Sequence, residues 1–68
     1  MDANKLKGCI RTYGMTQDAV AKSIGLSLSR LNAKINGTAG AEFTLGEIRA
    51  LKELLDLNAE QTAEIFFT

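Results

Sequence analysis

Residues 15–36 read MTQDAVAKSIGLSLSRLNAKIN, two short amphipathic helix patterns hinged at Gly25. Thr16 stands where a hydroxyl can accept a backbone N–H of a first helical turn, and Met15 is spaced to pack on Val20 as a hydrophobic staple. Asp18 in that turn suits the positive end of the helix dipole. Val20, Ala21 and Ile24 make an inward stripe, and Gly25 can take the left-handed conformation that ends a helix. Leu26 then occupies the turn, Ser27 caps a second helix, and Leu31 and Ile35 are its inward pair. Residues 28, 29, 30, 32, 33 and 34 are left facing outward or sideways, because so short a helix buries one stripe. Asn36-Gly37 is the stop.

The flanks obey the same helical grammar. Upstream, residues 3–13 predict a helix with Leu6, Ile10 and Tyr13 at helical spacing, Asp2 as N-cap and Gly14 as terminator. Gly8 inside it costs about 1 kcal/mol against Ala. Downstream, residues 37–41 form a loop of small residues with no predicted structure. Thr44 and Glu47 then spell a capping box, with Phe43 and Ile48 as its staple, predicting a helix over 45–56 whose core face is Leu45, Ile48, Leu51, Leu54 and Leu55. Asn58 and Gln61 spell a second box opening a helix over 59–66. No strand alternation or repeat intervenes, so the expected fold is all-α, a single domain over 1–68 made of a compact bundle of five short helices.

Composition narrows the function classes. A hydrophobic fraction of 46% with no Pro supports a packed core over disorder. One Cys and no His exclude an internal disulfide and the usual zinc patterns, and fit a reducing cytoplasm. The longest apolar stretch is far below the roughly 20 residues that span a bilayer, and the N-terminus lacks a signal-peptide core, so no membrane partner is expected. The formal net charge is zero but unevenly spread. Residues 1–37 hold six cations (Lys5, Lys7, Arg11, Lys22, Arg30, Lys34) against Asp2 and Asp18, giving +4, and residues 38–68 hold Arg49 and Lys52 against six carboxylates, giving −4. Such a chain can present a basic face to phosphate and hold its acidic end away.

Thr16, Gln17, Ala21, Gly25 and Ser27, with Val20, Ile24, Leu26 and Leu31 among them, resemble the lambda-repressor-like, Cro/repressor-type helix-turn-helix family. The resemblance covers residues 16–36 specifically and residues 3–67 more loosely, and length and an aromatic C-terminal end are similar to small phage-encoded Cro-like proteins. It implies a DNA-binding domain in which helix 28–35 enters the major groove while the preceding helix lies across the backbone. The residues it turns toward the groove are Leu28, Ser29, Asn32 and Ala33, with Ser27 at the helix start and Arg30 and Lys34 nearer the phosphates. Gln17 matches a position that holds a phosphate and braces the recognition helix, and Asn36 matches another phosphate contact. Asn32 can bond adenine through two hydrogen bonds, and Leu28 and Ala33 can touch thymine methyls, so A·T-leaning half-sites are expected. Many relatives carry polar residues where Leu28 and Ala33 stand.

The expectation is therefore a sequence-specific double-stranded DNA-binding transcriptional regulator of phage or prophage type, a repressor. A single module this small buries only about 600–1,000 Å² on DNA, so a homodimer on paired half-sites is expected. Ile65, Phe66 and Phe67 are the dimerisation candidates, because three consecutive apolar residues cannot all face one helix's core. The alternative is a protein-interaction module of the same fold, antitoxin-like or anti-repressor-like, without DNA binding. No catalytic set, metal site or cofactor is expected. Glu60 and Glu64, one helical turn apart, read as solvated carboxylates, and Cys9 as a small apolar side chain.

Overall fold

The computed structural model describes residues 1–67 and places them in five α-helices. These are α1 (Ala3–Thr12), α2 (Gln17–Ser23), α3 (Leu28–Asn36), α4 (Leu45–Leu54) and α5 (Ala59–Phe66). Each begins at a polar residue in extended conformation: Asp2, Thr16, Ser27, Thr44 and Asn58. Their side chains accept the backbone N–H three residues on, at distances from 2.7 Å for Asn58 to 3.2 Å for Ser27. Both capping boxes form, with Glu47 and Gln61 accepting the N–H of Thr44 and Asn58 in return.

Three connections share one construction. After α1, Met15 N–H donates to Ile10 O and Gly14 N–H to Arg11 O; after α2, Leu26 donates to Ala21 and Gly25 to Lys22; after α4, Leu57 donates to Lys52 and Asp56 to Glu53. This paired closure satisfies the last carbonyls and needs a left-handed residue at its centre. Gly14 (φ 84°), Gly25 (φ 77°) and Asp56 (φ 52°) supply it. The next residue is apolar and turns back onto the core (Met15, Leu26, Leu57), and the one after caps the following helix. The connection from α3 to α4 differs. Gly37 ends α3 at φ 67°, and Thr38–Gly40 form a short 3-10 helix containing Ala39 at φ 54°, where no regular structure was expected.

The core draws on every helix: Leu6 and Ile10, Val20 and Ala21, Leu31 and Ile35, Leu51 with Leu55 and Leu57 just beyond it, and Ile65. Ala21 is 1% exposed where α2 packs on α3. α2 also meets α4, and α1 meets α3 and α5. Asp2 N–H donates to Ile65 O at 2.7 Å, and Lys5 Nζ meets Glu64 Oε2 at 2.6 Å, so the start of the chain is tied to α5. Glu64 is thus one arm of an ion pair and not a free carboxylate.

Two apolar expectations change. Tyr13 is 53% exposed, because α1 stops at Thr12 and the tight turn carries Tyr13 off the stripe. Leu45 is 72% exposed, because as the first residue of α4 it precedes the turn that meets the core. That helix is also shorter than expected, ending at Leu54. No helix among the described residues is long and apolar enough to cross a membrane.

Candidate nucleic-acid interface

With Leu31 and Ile35 buried, α3 turns Leu28, Ser29 and Arg30 outward near its N-terminus and leaves Asn32 and Ala33 half-buried along one edge. Gln17, half-buried, opens the neighbouring α2, and Asn36 is exposed at the far end of α3. These side chains divide by whether the fold already uses them. Ser27 Oγ is occupied by the N–H of Arg30. The side chains of Gln17, Ser29, Arg30, Asn32 and Asn36 make no hydrogen bond or ion pair with any other described residue. They are polar groups with their bonding capacity unspent.

Lys34 leaves the set of residues open to a phosphate. Its Nζ lies 2.6 and 2.8 Å from the two carboxylate oxygens of Glu47, with the two side chains only 11% and 18% exposed. Burial pushes the Glu47 carboxyl up, but the hydrogen bonds from Lys34 and the Thr44 N–H, with the Lys34 charge, outweigh it and hold the carboxyl below its ordinary value. Nothing in the sequence pointed to this pair, since the capping box already accounted for Glu47.

Folding also redistributes the charge. Of the six cations in residues 1–37, Lys5 pairs with Glu64, Lys34 with Glu47, and Lys22 with Asp18 at 3.1 Å. Glu47 and Glu64 come from the acidic half, so the +4 and −4 of the linear chain partly cancel in space. Lys7, Arg11 and Arg30 remain unpaired among the described residues.

The three C-terminal apolar residues separate as well. Ile65 is fully buried in the core of the monomer and offers no surface to a second copy. Phe66 is half-buried, packed edge-on against Phe43 with ring centroids 5.8 Å apart at 86°. Phe67 is 62% exposed. One helical face cannot bury three successive residues, and the fold buries the first, shares the second and exposes the third. No protein-family model matches the chain, and no curated protein or solved structure does either.

Proposed function

We propose that the chain is a sequence-specific double-stranded DNA-binding transcriptional regulator, a repressor of phage or prophage type that acts as a homodimer in a bacterial cytoplasm. One observation carries this reading: Ser29 and Arg30, exposed near the start of α3, and the half-buried Asn32 one turn on from Ser29 have no hydrogen-bond or ion-pair partner among the described residues. In the proposed mode α3 lies in the major groove. Asn32 reads adenine, Ser29 donates or accepts at a neighbouring base edge, and Leu28 and Ala33 meet thymine methyls. Arg30, Gln17 and Asn36 hold the flanking phosphates and fix the register without reading sequence. The shortage of free cations means that electrostatics contributes modestly, and two copies on one operator supply the rest of the affinity.

The test is selection from a random duplex library, followed by titration of the enriched sequence and a scrambled control at several salt concentrations. Expected are an A·T-leaning inverted repeat and a fall of log K with log salt at about −0.9 per phosphate contact. A second reading, a protein-interaction module of antitoxin or anti-repressor kind, is favoured by Leu28, 40% exposed on the same edge of α3. Absence of any enriched sequence and of low-salt binding would select it.

A further inference from the structure

We propose that Lys7 of α1 seats a DNA backbone phosphate together with Asn36 at the far end of α3, so that α1 joins the interface. This inference rests on the DNA-binding reading above and adds to it a cation which that reading leaves unused. One groove is lined by Asn4 and Lys7 from α1 and by Lys34 and Asn36 from α3, two helices that pack on each other. Lys7 is half-buried and forms no ion pair or hydrogen bond with a described residue. The side-chain amides of Asn4 and Asn36 are exposed and likewise without a partner. A lysine whose stem is partly covered keeps its ammonium at the water-facing end, so the charge is held at the groove.

The position of Asn36 is what makes a cation necessary. It is the last residue of α3, and the C-terminal end of a helix carries partial negative charge that disfavours an anion beside it. A neutral amide cannot offset that charge, and Lys34, two residues earlier, is already neutralised by Glu47. The charged groups left in the groove are Lys7, the Met1 ammonium and the exposed carboxylate of Glu42, none of them in an ion pair with a described residue. Cations therefore exceed carboxylates there. An ammonium and a carboxamide N–H are donors and phosphate oxygens are acceptors, so a phosphate satisfies both Lys7 and Asn36. Contact of this kind fixes the duplex in register without reading its bases.

The experiment is titration of the full chain into its selected duplex and a scrambled duplex at several salt concentrations, with circular dichroism to verify folding. The variants are Lys7→Gln, Lys7→Arg, Glu42→Gln and Arg11→Gln, the last removing an unpaired cation of α1 that does not line the groove. Glutamine is nearly as good a helix former as lysine, so Lys7→Gln folds. Expected is a salt slope reduced by about 0.9 per protomer in Lys7→Gln on both duplexes, and kept in Lys7→Arg and Arg11→Gln. Glu42→Gln, which removes a carboxylate from the groove, should tighten both duplexes. A parent that binds neither duplex at low salt overturns the DNA reading and this seat together. A parent that binds, with a slope unchanged in Lys7→Gln, overturns the seat alone, even where that variant is less stable. Equal reductions from Lys7→Gln and Arg11→Gln, or no tightening in Glu42→Gln, also overturn it, because the effect would then be one of overall charge or would lie away from the groove.

Discussion

Lys34 on α3 and Glu47 on α4 grip each other through both carboxylate oxygens, at 2.6 and 2.8 Å, while the same carboxylate accepts the N–H of Thr44 at 2.9 Å. One side chain therefore caps α4 and anchors the C-terminal half of α3. Glu47→Gln keeps a cap acceptor but leaves a mostly buried ammonium without its counter-charge. It should lower unfolding free energy by about 1–3 kcal/mol in urea titration. Lys34→Met, which retains most of the buried stem, should cost less. Equal stability of Glu47→Gln and the parent would mean that the pair is only a surface contact.

The same pair sets an acid limb. The Glu47 carboxyl is held below its ordinary value of 4.5, so its contribution is complete above that pH and is lost as pH falls through the lower folded-state value. Thermal unfolding of the parent should drop more steeply than that of Glu47→Gln below pH 4.5, and the two should run parallel above it. Curves that stay parallel down to strong acid would contradict the assignment.

Asp56 occupies at φ 52° the position that Gly14 and Gly25 hold in the matching turns. Aspartate tolerates the left-handed region better than most residues but still strains there. Asp56→Gly should stabilise the fold by about 0.5–1 kcal/mol. Gly25→Ala should do the reverse, by about 1–2 kcal/mol from the backbone alone, since a methyl at Gly25 would meet nothing within 4 Å. Chemical denaturation of both variants checks the signs.

On DNA, the proposed roles separate by salt and by sequence. Arg30→Ala should reduce the salt slope by about 0.9 per protomer on every duplex. Asn32→Ala should cost about 1–3 kcal/mol on the preferred sequence and little elsewhere. Lys34→Ala should leave the slope unchanged, because its charge is already satisfied by Glu47. A slope that falls with Lys34→Ala as much as with Arg30→Ala would place Lys34 back at the phosphates.

Local hydrogen bonding explains which parts of this chain can be read in advance. The caps at Asp2, Thr16, Ser27, Thr44 and Asn58 and the glycine at Gly25 act over three to five residues, so residue type and spacing suffice to foresee them. Helical periodicity likewise marks Leu31 and Ile35 as inward and 28–30 as outward, which is all that the candidate interface needs from the backbone. Element ends carry no such information. Tyr13 and Leu45 fit their stripes by spacing, yet each lies at a terminus where the chain leaves the core.

Five helices, their starts and the pair hinged at Gly25 are legible in residue type and spacing, because each follows from bonds closed within about one turn. Long-range packing is what brings Lys34 to Glu47 and Lys5 to Glu64, and what makes Ile65 interior while Phe67 is not. Those outcomes depend on which helix faces reach one another across 13 and 59 residues of chain, and long-range packing has no local signature in residue spacing.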